Sequence, residues 1–275
     1  MKKFFPLLTL AAIFAFSACK EAPIEIPDLK GGKRRVLVEE VTGVGCTNCP
    51  DGARTLTNLQ GTFKAEGREL IVVSIHAAGN FSVPYPSSKV DFRNAEAQAL
   101  VGFIGVLEGF PCAAVDRQLL PDETTTFVTP HTRWEGIIRA DFAQDFGLDM
   151  FIENNFNPST RMLDIKVDLL PDQILSGDLR LTVLITEDSI IDAQLDKGVF
   201  NPNYVHRHAL RDVVTNVDGN PIGETLNQGS FVRRSFSVPL KPEWSAKHCS
   251  VVAFVHRNGS PNKEVLQAAE RHVEY

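Results

Sequence analysis

Apolar and polar positions alternate in two different ways along this chain. Near the start, Arg35–Val41 and Leu70–His76 are short, β-branched and almost wholly apolar. That pattern predicts interior strands of a parallel sheet, covered on both faces. Between them, residues 51–65 carry apolar positions at helical spacing, so the three segments form a strand–helix–strand unit with a right-handed crossover. An irregular stretch with Gly79, Pro84 and Pro86 follows, and the pattern then predicts a helix over 91–106. Another helix is expected from Thr129 to about Phe146, with Pro130 in its first turn and Trp134, Ile137, Ile138 and Phe142 facing the sheet. From residue 147 the period becomes two. Residues 148–156, 162–169, 179–186, 230–238 and 250–255 alternate apolar and polar, separated by Pro, Gly, Asn and Asp turns. This reads as an antiparallel sandwich. Residues 266–273 have helical propensity. Their place after Asn258-Gly259-Ser260-Pro261 favours a closing hairpin strand that ties down the terminus. The division is an α/β domain over 35–146 and an all-β domain over 147–275.

The first 34 residues belong to neither domain. Lys2 and Lys3 precede an apolar stretch, Phe4–Phe16, that is too short for an ordinary membrane span. Phe16-Ser17-Ala18-Cys19 looks like a lipobox, so residues 1–18 read as a lipoprotein signal peptide and Cys19 as a lipidated N-terminus. The competing reading is a plain secretory signal in which Cys19 is incidental. Residues 19–34, with Pro23, Pro27, Gly31 and Gly32, read as a tether. A lipid at Cys19 would anchor the protein to a membrane without spanning it. Removing Lys2 and Lys3 takes the formal charge from −6 to −8. No basic patch points to nucleic acid.

Four of the five cysteines, Cys46, Cys49, Cys112 and Cys249, would remain once Cys19 is lipidated. Cys46 and Cys49 form a C-x-x-C between the first strand and the first helix, the arrangement of a thioredoxin-type dithiol. A thiolate is the nucleophile in disulfide exchange, and a helix N-terminus lowers its pKa. In that role Cys46 attacks, Cys49 resolves, and Pro50 sits where a missing N–H is harmless. Two other readings compete: a structural disulfide, and half of a zinc site. Zinc would call for a second C-x-x-C or C-x-x-H, and none is present. No cofactor is expected.

Further along, Pro111 precedes Cys112-Ala113-Ala114-Val115 in the position of a cis-proline loop that would shape a substrate groove beside the dithiol. Glu40 stands at the interval from Cys46 of the buried acid in thioredoxins and could take the proton from Cys49. Its neighbour Glu39 competes, since a one-residue slip in register exchanges them. Departures from thioredoxins are Gly45 in place of tryptophan and Thr47-Asn48 in place of Gly-Pro. Cys112 and Cys249 read as buried and inert. His206 and His208 would share one strand face, at the spacing of a two-histidine metal clamp, but no third ligand is placed to complete it.

Together, V-L-V-E-E-V-T-G-x-x-C-x-N-C-P at 36–50, G-F-P at 109–111, H-R-H-A-L-R at 206–211 and E-V-L-Q-A at 264–268 resemble the twenty-eight-kilodalton outer-membrane-protein family of Gram-negative bacteria. The resemblance implies an outer-membrane lipoprotein: an α/β thioredoxin-like domain followed by an all-β immunoglobulin-like sandwich. Two functional classes follow. One is an extracytoplasmic thiol–disulfide oxidoreductase acting on protein thiols or disulfides. The other is a non-enzymatic surface adhesin or binding lipoprotein in which Cys46–Cys49 is a fixed staple.

Overall fold

The computed structural model describes residues 33–259 and 262–275. Cys19, the signal segment 1–18 and the tether up to residue 32 lie outside the described residues. The two apolar runs pair as expected. β1 (Arg35–Val41) and β2 (Glu69–Ile75) are parallel, in register from Arg35↔Glu69 to Val41↔Ile75. α1 (Cys49–Ala65) crosses between them and buries Leu56, Leu59 and Phe63. α2 (Ala95–Ile104) starts later than the periodicity suggests. Asn94 caps it by accepting from the Ala97 N–H, while the Asp91 carboxylate turns back onto Arg93. β3 (Cys112–Val115) is antiparallel to β1 and forms the sheet edge. α3 (Trp134–Asp141) follows a 3-10 turn at His131–Arg133 and ends well before Phe146. Pro130 lies before that turn, after a cis Thr129–Pro130 bond.

The alternating segments are all strands. β4 (Leu148–Asn157), β5 (Met162–Pro171), β6 (Leu175–Glu187), β7 (Ile190–Asp196), β8 (Val199–His206), β9 (Ala209–Val213), β10 (Asn220–Leu226), β11 (Val232–Pro239), β12 (Cys249–Arg257) and β13 (Val265–His272) follow in order. β13 pairs antiparallel with β12, so residues 266–273 close a hairpin rather than form a helix. The described residues are thus β-rich, with a mixed sheet flanked by a few helices. Its strand order is β13-β12-β6-β9-β2-β1-β3, with β10 added beside β6. β9 meets β2 through the single pair Ser74↔Ala209, so strands from both halves of the chain share one sheet. A three-stranded sheet, β11-β5-β4, packs over its β6–β12–β13 side around Leu163, Ile165, Val167, Leu181, Val183 and Val251. At the other end, α1 and α3 cover one face around Val36, Val38, Phe63 and Trp134. α2 covers the opposite face around Leu37, Val41, Ile71 and Leu100.

Because side chains alternate on β1, the two adjacent glutamates part. Glu39 points to the α2 face and is held by Arg117, whose Nε and Nη2 each donate at 2.7 Å to its carboxylate oxygens. Both partners are buried. The guanidinium lies 4.7 Å from the Phe254 ring centroid and 5.6 Å from that of Phe103. Arg117→Met leaves Glu39 buried without a counter-charge and is expected to destabilise the fold by roughly 3–5 kcal/mol. The double change Glu39→Met/Arg117→Met removes both charges and should recover much of that loss. Urea denaturation of the three proteins measures both effects.

Candidate functional site

The dithiol sits where β1 hands over to α1. Cys46 closes a turn by donating its N–H to the Gly43 carbonyl at 3.0 Å, and the Cys49 N–H donates to the Cys46 carbonyl at 3.3 Å. Cys49 is the first residue of α1, so Cys46 lies in the turn just outside the helix. Pro50 occupies the first turn, where its missing N–H removes nothing from the helix ladder. Cys46 and Cys49 are joined by a disulfide. The loop is tightly fitted. A Cβ on Gly43 would stand 2.5 Å from the Phe81 carbonyl oxygen.

Glu40 lies on the α1 face of β1, beneath that first turn. One carboxyl oxygen accepts from Ser74 Oγ at 3.2 Å. The other is buried with no partner among the described residues. Burial pushes the Glu40 pKa up to about 8, opposed by the Ser74 hydrogen bond. Gly52 is glycine because three groups converge there. A Cβ would stand 2.8 Å from Glu40 Oε1, 3.0 Å from Pro111 Cβ and 3.0 Å from the Trp134 ring. Pro111 follows a cis peptide bond from Phe110 and lies against the start of α1 at Gly52. The fold therefore gathers Cys46, Cys49, Glu40 and Pro111 at one helix start, and places Glu39 elsewhere.

The remaining candidates separate. Cys112 is buried on the α2 face, and burial, then the Glu40 charge, pushes its thiol up to about 12. Burial likewise pushes Cys249 up to about 12. His206 ends β8, whereas His208 has a left-handed φ of 52° outside any strand, so they do not share a strand face. The strand ends at His206 and the left-handed turn at His208 breaks the alternation on which the shared face depended. His206 Nε2 lies 3.3 Å from the Ala193 carbonyl, and His208 Nε2 lies 3.1 Å from Gln60 Oε1. Burial lowers the His206 pKa to about 4 and that of His76 well below its usual value. His76 stacks on Phe92 with centroids 4.3 Å apart.

Sequence reasoning missed the hairpin β7–β8. Its two-residue turn, Lys197-Gly198, has positive φ at both positions, 50° and 79°. That favours a tight hairpin, and a glycine between two short strand-length runs was the available signal. The hairpin lies on the dithiol loop. The Leu195 N–H donates to the Val44 carbonyl at 2.7 Å and the Lys197 N–H to the Thr47 carbonyl at 2.9 Å. The Gly198 N–H reaches Thr47 Oγ1 at 2.6 Å. The buried amide of Gln194 lies 3.2 Å from the carbonyl oxygens of both Gly43 and Cys46. Under this cover Cys46 is 5% exposed and Cys49 0%. A cavity of about 430 Å³ opens between α1, β2 and β8, and its lining includes Glu40, Cys49, Ser74, Tyr204 and His206.

The Glu40 environment makes stability depend on pH. Its pKa is higher folded than unfolded, so the folded state holds a proton that the unfolded chain releases above pH 4.5. Stability should therefore fall as pH rises from about 4.5 to about 8, and level off above that. The slope from this group is at most about 1.4 kcal/mol per pH unit. Glu40→Gln should flatten that window and leave the acid end unchanged, as read by urea midpoints across pH.

The sequence model of Outer membrane protein Omp28 matches residues 98–274, more than half of the chain. That span contains Pro111, the hairpin and the sandwich strands, and begins beyond Cys46 and Cys49. No curated protein matches the chain. Among solved structures, HBP35 of Porphyromonas gingivalis has a TM-score of 0.69 at 17% identity, over 88% of this chain and 76% of that one. A protein of Agrobacterium tumefaciens known from an X-ray crystal structure has a TM-score of 0.50 at 12% identity, over 89% of this chain and 99% of that one. A domain of the outer membrane lipoprotein Omp28 from Porphyromonas gingivalis is 16% identical over 46% of this chain and 88% of its own, with a TM-score of 0.32. At these identities the structures speak to fold alone. No helix among the described residues is long and apolar enough to cross a membrane. The family model is what assigns the sequence: the chain belongs to the Omp28 family of outer membrane proteins.

Proposed function

We propose that this protein is a lipid-anchored envelope protein in which Cys46 and Cys49 carry out thiol–disulfide exchange. In this reading residues 35–146 are a thioredoxin-like unit and residues 147–275 an immunoglobulin-like sandwich. The β1–α1–β2 crossover, the disulfide at the start of α1 and Pro111 against it support the first assignment. The packing of β4, β5 and β11 over β6, β12 and β13 supports the second. Protein thiols or disulfides are the substrate class.

The observation that carries the reading is Glu40. A structural disulfide has no use for a buried carboxyl with an unpartnered oxygen beside it. An exchanging one does, because a proton must move when the bond breaks. A partner thiolate attacks Cys46 Sγ, the Cys46–Cys49 bond breaks, and its electron pair leaves on Cys49 Sγ. With its pKa raised to about 8, Glu40 is protonated at neutral pH and can supply that sulfur with a proton. A second thiol of the partner then attacks the partner's sulfur in the mixed disulfide, Cys46 leaves as the thiolate, and the partner departs carrying a new disulfide while Cys46 and Cys49 stay reduced. In the reverse direction reduced Cys46 attacks a partner disulfide, Glu40 takes the proton from Cys49, and the Cys49 thiolate displaces the reduced partner from Cys46. Pro111 shapes the surface at which the partner lies.

A second reading has its own support. Cys46 is almost covered, as a fixed staple would be. The protein would then work through a surface binding partner, and losing the disulfide would cost roughly 2–4 kcal/mol of stability and nothing else. Single-cysteine variants decide between them. Cys49→Ser should capture glutathione from glutathione disulfide through Cys46, and Cys46→Ser should do so at least about tenfold more slowly, since the helix start favours the Cys46 thiolate. Equal, slow capture by both variants would favour the staple. Anchoring rests on Phe16-Ser17-Ala18-Cys19. Cys19→Ser should move the protein from the membrane pellet to the soluble fraction of lysed cells.

A further inference from the structure

The hairpin that covers the dithiol is built in two parts. Its root is fixed. The buried Asp192 carboxylate accepts from the backbone N–H groups of Lys89 at 2.9 Å and Val90 at 2.7 Å. The Ala193 carbonyl meets His206 Nε2, and Ala193 itself is buried. Its tip, from Gln194 to Asn201, is attached differently. The β7–β8 ladder is a two-stranded sheet of its own, outside both larger sheets. Its outer residues stay in water, with Val199 68% exposed and Phe200 44%. Most of what holds the tip down is polar: the hydrogen bonds to residues 43–47, an Arg54–Asp196 ion pair at 2.8 Å and a Lys197–Asp51 pair at 3.2 Å. The one ring contact beside them is Phe200 edge-on to Tyr85, with centroids 5.0 Å apart, among the described residues. A shift in the β7–β8 register between Asp192 and Gln194 separates root from tip. A bulge of this kind bends a strand locally, and an isolated two-stranded ribbon is marginal by itself.

We propose that the tip of this hairpin is a hinged cover over the Cys46–Cys49 disulfide, and that Gln194 is its latch and a positioning residue for the dithiol loop. Closed, the Gln194 amide draws together the carbonyls of Gly43 and Cys46, fixing the turn that carries the attacking sulfur. Open, it uncovers Cys46 to a thiol. The hinge lies between Ala193, which is still held in the root, and the Gln194 latch. The proposal rests on reading the pair as an exchange dithiol, but its test does not, since any disulfide can be reduced.

Reduction by dithiothreitol provides the readout. One dithiothreitol thiolate attacks Cys46 Sγ and Cys49 leaves as the thiolate. The second dithiothreitol thiol then displaces Cys46, and the reagent ends as its cyclic disulfide. Gln194→Ala removes side-chain hydrogen bonds from the closed form alone, so reduction should be roughly 3- to 30-fold faster than in the unchanged protein. Asp196→Asn weakens the Arg54 pair at the tip and should give a smaller rise in the same direction. Hydrogen exchange of peptides spanning 194–201 should rise in both, while peptides spanning 190–193 hold. Val251→Ala, in the sandwich core, controls for general destabilisation and should leave the rate unchanged. The cover is refuted if exchange at the tip rises without faster reduction, or if Val251→Ala speeds reduction as much as Gln194→Ala. If Gln194→Ala does not fold, an unchanged rate in Asp196→Asn refutes it. Failure of the exchange role itself is seen separately, in the capture of glutathione by Cys49→Ser.

Discussion

An ionised carboxylate taken out of water and left without a partner destabilises a fold by several kcal/mol, so proteins either pair such a group or keep it protonated. At Glu40 the fold keeps it protonated. Ser74 satisfies one oxygen, and burial raises the pKa to about 8. Several local features follow from making room for this group. Gly52 has no side chain because Glu40, Pro111 and Trp134 already fill the space. Two positions away on the same strand Val38 belongs to the apolar cluster under α1 and α3, so the acid is held at the end of an otherwise dry face. Glu39, one residue before it, is treated in the opposite way and stays buried against a bidentate arginine.

The contrast between the two glutamates bears on function. A paired buried charge is a structural solution. A protonated, half-satisfied one is the group on which the proposed exchange role rests. The hairpin from the second half of the chain adds a further constraint. It lies over Cys46, which is almost fully buried, and is tied to residues 43–47 mostly by polar contacts. The cavity beside it is lined by both Glu40 and Cys49, together with His76 and His206, whose pKa values burial lowers, and with Arg54 and Arg207.

Much of this was legible in the residues. Val36, Val38, Leu70 and Val72 announce buried parallel strands, and the C-x-x-C between strand and helix announces the dithiol. The period-two runs from Leu148 onward announce β structure, including the closing strand Val265–His272. The pattern could not decide between Glu39 and Glu40, because a strand's two faces are exchanged by a shift of one residue. It overextended α2 and α3, because capping by Asn94 and the chain after Asp141 depend on local hydrogen bonds rather than periodicity. It placed His206 and His208 on one strand face, because a left-handed residue leaves little trace in a sequence when it is not glycine. It missed the cover entirely. Ile190–His206 buries little on its outer side, and its ties to residues 43–47 span about 150 positions of chain.

The most direct test is the reduction potential of Cys46–Cys49 in residues 33–275, equilibrated in glutathione buffers and read by thiol alkylation and mass. Exchange chemistry predicts a potential between about −120 and −270 mV, with Cys46 the first sulfur to be alkylated. A potential below about −300 mV, with both sulfurs shielded from alkylation, would contradict it and leave the disulfide a staple.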